Sequence, residues 1–375
     1  MTSHKISITR RLRQTPFSKR VFEAGVTSFT VYNHMLLPTV FKSVEEDYHH
    51  LKNAVQVWDV ACERQVEITG PDAYKLIEML TPRDLRNLSV DKCLYAPLTN
   101  SSGGIINDPV IVQVDEDKYW ISIADSDALL WVSGIATGLA LDVKISEPDV
   151  SILAIQGPLS NKLMQNVFSM DFESAKLFSI VKVPFKDTSF IAARSGFSKQ
   201  GGFEIYVENA KYAEDIWDTF FEAGKSLNVA AGCPNGIERV EAGLLSYGND
   251  MTIINNPIEC GLERFCKKGI DWQTGKMKPF IGDKALNEVI QNGAKQIIRS
   301  IEIEGRPLPT CMEPWPINYK NKNVGQVTSA AFSPDFQTNV ALGMISRECW
   351  NEGDQVNVQT PDGVRSAIVH AKSFI

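Results

Sequence analysis

Asn107 and Asp108 close the run Gly103-Gly104-Ile105-Ile106, immediately before Pro109 and the apolar alternation that follows. A carboxylate delivered to the mouth of a strand by paired glycines is suited to handling a proton or a cation. Two strand patterns, Asp108–Val114 and Tyr119–Asp125, flank the acidic turn Asp115-Glu116-Asp117-Lys118 and read as a hairpin. Pairing Val114 with Tyr119 sets Asp108 opposite Asp125, at the open end. Carboxylates that close raise one pKa and titrate as a coupled pair. The alternative is local: Asp108 caps a turn with Asn107, while Asp125 and Ser126 N-cap the helical run Asp127–Ala136.

The surrounding elements mix helix and strand without a steady βαβ rhythm, which argues for an α+β fold. Ala73, Leu76, Ile77 and Leu80 share one helical face, ended by Pro82. Ile216, Trp217, Phe220 and Phe221 do the same, with Gly224 as the residue after the helix. Ile237, Val240 and Leu244 predict a third helix. From about Gln296 the chain turns to short alternating strands, with Pro361-Asp362-Gly363 joining the last two, which predicts a separate C-terminal β-barrel or sandwich.

Composition narrows the function classes. A chain of 375 residues with net charge −7 has room for two or three domains and is no general binder of nucleic acid or anionic membrane. The basic opening His4–Gln14 is followed by polar sequence rather than an apolar core, so no secretory signal is expected, and no apolar run reaches membrane-spanning length. The cysteines number 7, without a C-x-x-C pair, which suits a reducing cytoplasm; no histidine stands at zinc-ligand spacing from one, so no metal is expected. No G-x-G-x-x-G turn is present, which removes the usual nicotinamide or flavin fold.

Seven segments in order resemble the folate-dependent aminomethyltransferase family, which includes the T-protein of glycine cleavage. They are Tyr32–Pro38, Val57–Ala73, Tyr95–Val112, Ala154–Pro158, Arg194–Val207, Ile237–Asp250 and Pro279–Gly282. The resemblance implies a three-domain cloverleaf: α+β lobes from 1–50 with 150–250 and from 51–149 with 251–280, around a central folate channel, then a barrel at 281–375. It also implies tetrahydrofolate as a co-substrate, with neither metal nor flavin.

The departures carry as much information. Ala61-Cys62-Glu63-Arg64 stands where relatives read Ser-His-Met, and Phe197-Ser198-Lys199-Gln200-Gly201-Gly202 replaces Tyr-Thr-Gly-Glu-Asp-Gly. Ala124-Asp125 replaces Asn-Ala, and the family's Asp-Asp is Asn107-Asp108. This set is similar to the sulfonium-demethylating branch. It implies methyl transfer from dimethylsulfoniopropionate, a small sulfonium zwitterion, to tetrahydrofolate, yielding 3-(methylthio)propionate and 5-methyltetrahydrofolate.

By the same resemblance Asp108 is the catalytic residue facing the reacting nitrogen. Glu204 holds the pterin edge, whose adjacent N–H donors suit a carboxylate. Tyr206 lies two residues on, on the same strand face, and Tyr95, Phe197 and Tyr247 line the folate channel. Tyr32 and Met35 are candidates for the sulfonium pocket, and Arg64 and Lys199 for the cation that meets the donor's carboxylate. Arg239, from the family's Leu-Arg-x-Glu, is expected to pair with a carboxylate of a neighbouring element. Lys267-Lys268 and Lys276-Lys278 form a basic strip, either a solvated face or a guide for a polyglutamate tail. No nucleic acid or membrane partner is expected; a homodimer stays open. Two alternatives stand beside this one. The first is a related aminomethyltransferase or methylated-amine demethylase. The second is a folate-binding assembly factor without transferase activity, whose Lys-Gly-Cys motif is nearest here to Lys268-Gly269-Ile270-Asp271 without the cysteine.

Overall fold

The computed structural model describes residues 9–266 and 279–375, so Lys267-Lys268, Lys276-Lys278 and the Lys268–Asp271 stretch lie outside the described residues. The chain divides into two compact units. The first comprises residues 1–65, 148–196 and 200–234; the second comprises 66–147, 197–199 and 235–375.

A six-stranded mixed sheet organises the first unit, in the order Ile180–Phe185, Thr188–Ala193, Gly202–Glu208, Val150–Gln156, Val55–Asp59 and Val229–Gly232. Val150–Gln156 and Gly202–Glu208 are central, and nearly every residue in them is buried, as strands covered on both faces must be. Helices Ser160–Phe168 and Ala213–Ala223 bury Leu163, Met164, Ile216, Trp217 and Phe220 in its core. Helix Val44–Asn53 and strand Val55–Asp59 belong here as well, so this unit runs past the boundary expected near residue 50, to Gln65. Gly224 is not in the left-handed region expected of it (φ −94°). Its missing side chain serves close packing instead, since a Cβ there would lie 2.6 Å from the Cβ of Val229.

The second unit holds an antiparallel sheet ordered Lys144–Ser146, Gln65–Thr69, Lys118–Ser122, Val110–Asp115 and Leu94–Tyr95, and a closed six-stranded barrel. Helix Ala73–Leu80 buries the four residues of its expected stripe against the sheet and stops at Thr81, where Pro82 forces extended backbone. The barrel begins at Gln296 and has its own core around Ile301, Ile317, Val327, Ile345, Val358 and Val369. Pro361-Asp362 forms a two-residue loop between the paired Thr360 and Gly363. Strands Trp315–Tyr319 and Thr338–Ser346 complete it; their irregular alternation hid them in the sequence.

Helix Gly236–Glu241 is shorter than its pattern suggested. Asn235 caps it, its Oδ1 accepting from the amides of Ile237 and Glu238. Gly243, at φ +67°, ends it before Leu244 can join the face of Ile237 and Val240. Val240 packs against Val340 and Leu342 of the barrel, and Arg239 pairs with Asp250 at 2.8 Å. No helix among the described residues is long and apolar enough to cross a membrane.

Candidate active site

The hairpin around Asp108 differs by one residue from the register read off the sequence. A bulge between Gln113 and Asp115 pairs Gln113 with Tyr119 and Asp115 with Lys118, leaving only Glu116-Asp117 in the turn. A one-residue slip moves every side chain to the other face, so Asp108 is not paired with Asp125. Nor does Asp125 start the following helix, whose N-cap position falls at Asp127. Asn107 instead closes the hairpin's mouth. Its amide donates to the Ala124 carbonyl (2.9 Å) and Ser126 Oγ (2.8 Å) and accepts from the Ala124 amide (2.9 Å). Only an amide can donate and accept in this way, which accounts for asparagine here in place of the family's first aspartate.

Both glycines are required by the protein's own fold. A Cβ on Gly104 would fall 1.9 Å from the Ile253 carbonyl oxygen, and Gly103 turns the chain at φ +76°. Ile105 follows, fully buried beside Met251, Cys260 and Met344. The Ile105–Asp108 segment is thereby held from both sides.

Asp108 meets Tyr95, whose hydroxyl donates to Oδ2 at 3.0 Å. The other oxygen, Oδ1, is shielded from solvent and has no hydrogen-bond partner among the described residues. Burial pushes the Asp108 carboxyl up to about 7, against the pull of the Tyr95 hydroxyl and its own backbone amide. Tyr95 is raised well above its ordinary value, first by burial and then by the charge of Asp108. Tyr247 donates to the Ile105 carbonyl at 2.9 Å, and burial with the Asp108 charge pushes its phenol up to about 12. The ring of Tyr95 meets Phe265 edge-on, centroids 4.8 Å apart. Tyr95, Asp108 and Tyr247 are thus brought together, with Phe265 as a neighbour that sequence reasoning missed; its only signal was an aromatic beside Arg264.

In the first unit, Glu204 is almost fully buried on the central strand, opposite Ala154 and Ala193, and accepts from Ser195 Oγ at 2.5 Å. Burial raises its pKa and the serine opposes this. Tyr206, fully buried, follows on the same face. Tyr32 and Met35 face each other across a tight hairpin whose turn residues, Asn33 and His34, both have positive φ. The Asn33 amide donates to the Cys62 carbonyl at 3.0 Å, which ties that turn to the segment carrying the partly buried Arg64. Asp59, unremarked as a site residue, is buried; it accepts from Thr15 Oγ1 (2.5 Å) and the Ala61 amide (3.2 Å), and burial lifts it to about 7.

Phe197 and Lys199 fall in the short 197–199 piece that packs with the second unit. Phe197 is partly buried, and Lys199 is exposed while its backbone amide donates to the buried Glu238 carboxylate at 2.8 Å.

Comparison with known proteins agrees along the whole chain. The GCVT N-terminal domain family matches residues 17–269, and the glycine cleavage T-protein C-terminal barrel domain family matches 298–375. A dimethylsulfoniopropionate demethylase of Ruegeria pomeroyi is 50% identical over 361 residues, 96% of this chain and 97% of that protein. An aminomethyltransferase of Thermotoga neapolitana is 26% identical, covering 97% and 98%. The crystal structure of the glycine cleavage system aminomethyltransferase T from Bartonella henselae superposes with a TM-score of 0.84 at 22% identity, over 97% of this chain and 98% of that one, which establishes the fold. The chain belongs to the glycine cleavage T-protein family.

Proposed function

We propose that this protein transfers a methyl group from dimethylsulfoniopropionate to tetrahydrofolate, giving 3-(methylthio)propionate and 5-methyltetrahydrofolate. The observation that carries this is the 50% identity to a dimethylsulfoniopropionate demethylase over 96% of the chain, against 26–27% for the aminomethyltransferases. The reaction is redox-neutral. The lone pair of folate N5 forms the new bond to the methyl carbon as the S–CH3 bond breaks, and its electron pair leaves on sulfur as a neutral thioether. The leaving group needs no acid. Alignment and exclusion of water do most of the work, worth about 7–11 kcal/mol at best.

Positive charge leaves sulfur and grows on N5, and the N5 proton must then depart. Asp108 suits both demands: its carboxylate favours the growing cation, and its shielded Oδ1 lacks the N–H donor that tetrahydrofolate would bring. A group poised near pH 7 accepts that proton and can release it again. Tyr95 keeps the carboxylate oriented. Tyr247, Phe197 and Tyr206 are assigned to the acceptor as aromatic contacts, and Glu204 to its aminopyrimidine edge. Tyr32 and Met35 are assigned to the sulfonium, with Arg64 and Lys199 as cations for its carboxylate. We further infer that the two separate cores of the second unit mark two domains, one of them the barrel, and that the scattered cysteines fit a cytoplasmic location.

Purified protein incubated with tetrahydrofolate and either dimethylsulfoniopropionate or dimethylglycine is the test, with 5-methyltetrahydrofolate followed by mass spectrometry. Product from the sulfonium alone is expected. Product from the amine alone, or bound folate without turnover, would overturn the assignment.

A further inference from the structure

Phe265 carries two cations. The guanidinium carbon of Arg83 lies 5.1 Å from its ring centroid and that of Arg264 lies 4.6 Å away. The same ring makes the edge contact with Tyr95, which holds Asp108. Neither arginine has an acidic partner among the described residues. Asp84, next to Arg83 in sequence, is taken by Arg86 through contacts of 3.0 and 2.5 Å. Arg83 Nη1 reaches only the Arg264 carbonyl, at 3.4 Å, and its Nε is shielded from solvent without a hydrogen-bond partner. Burial pulls the Arg83 pKa below its ordinary value, a sign that the charge is poorly compensated.

Two guanidiniums sharing one ring repel, and a buried N–H without an acceptor costs about 1–3 kcal/mol. A carboxylate relieves both, because Nε and one Nη of an arginine present a parallel fork that matches its two oxygens. We propose that Arg83, supported by Arg264, forms a carboxylate-binding site one ring away from the Tyr95–Asp108 pair. The ligand's chemistry rests on the function proposed above. Both substrates carry the group: the donor at its propionate end, the acceptor on its glutamate.

The test uses Arg83→Gln, Arg83→Lys and the exposed Arg264→Gln in the full chain. Binding of tetrahydrofolate and of 6-methyltetrahydropterin, which carries no carboxylate, is measured by calorimetry without turnover; KM and kcat for dimethylsulfoniopropionate are measured separately. The site predicts that Arg83→Gln weakens one carboxylate-bearing substrate by about tenfold or more, as loss of a charge-assisted fork requires. It also predicts that kcat stays near wild type, that lysine restores little, and that Arg264→Gln gives a smaller effect in the same direction. Weaker tetrahydrofolate with unchanged 6-methyltetrahydropterin identifies the glutamate; a raised KM for the sulfonium alone identifies the propionate. Equal weakening of both pterins with an unchanged donor KM, or no change in any constant, overturns the site. If the wild-type protein transfers no methyl group yet Arg83→Gln separates tetrahydrofolate from 6-methyltetrahydropterin, the carboxylate site stands and only the proposed reaction falls.

Discussion

Replacing Tyr95 by Phe removes one hydroxyl and keeps the ring that packs on Phe265. That hydroxyl donates the 3.0 Å bond to Asp108 Oδ2 and lowers the pKa of a carboxyl that burial lifts to about 7. A hydrogen bond to a charged group contributes about 1.5–3 kcal/mol, and each pKa unit corresponds to about 1.4 kcal/mol. Without it, the Asp108 pKa rises by about 1–2 units. In the proposed reaction, ionised Asp108 is the form that favours the cation growing on N5 and then receives its proton, so the rate falls as pH drops through its pKa. The pH profile of kcat/KM for methyl transfer therefore has an acid limb near 7 in the wild type. In Tyr95→Phe the limb moves up by about 1–2 units, while the plateau at high pH keeps most of its height. An acid limb that stays in place or moves down refutes the role given to this hydrogen bond.

Asp59 provides a stability prediction. Its folded-state pKa of about 7 lies above the unfolded value of 3.8, so its stabilisation is complete below the unfolded value and is lost as pH rises through about 7. The loss amounts to about 4 kcal/mol at most, and the fall in urea midpoint between pH 5 and pH 8 should shrink in Asp59→Asn. Gly104→Ala drives a methyl into the Ile253 carbonyl, which would stand 1.9 Å away, so a lowered melting temperature and reduced turnover are expected. Arg239→Ala strands Asp250, which is wholly buried and also held by Thr328 and Ser329, and should cost about 3–5 kcal/mol in urea denaturation.

What the sequence made legible follows from where periodicity is strong. The stripe Ala73, Leu76, Ile77 and Leu80 and the barrel beyond Gln296 carry clear spacing, and both formed as expected. The Asp108–Asp125 pairing failed because a bulge at Val114 has no composition of its own, and one residue of slip reverses a hairpin's faces. The glycine pair was visible beside the carboxylate, but only the tertiary fold reveals the Ile253 carbonyl against which Gly104 lies. Asp59 was hidden for a related reason: the burial that lifts its carboxyl is set by distant chain, as is the Thr15 hydroxyl that opposes the lift. Arg83 was invisible because an arginine in a loop is ordinarily solvated, and its lack of an acidic partner among the described residues is a property of three dimensions alone.

Single-turnover methyl transfer by Asp108→Asn, paired with calorimetric binding of tetrahydrofolate, tests most directly the role given to this carboxylate. Asparagine keeps the shape and the Tyr95 contact but cannot take a proton. Transfer at pH 8 is expected to slow by about 100-fold or more, in the range of general-base effects, with folate affinity little changed. Wild-type rates from the asparagine variant would contradict the account.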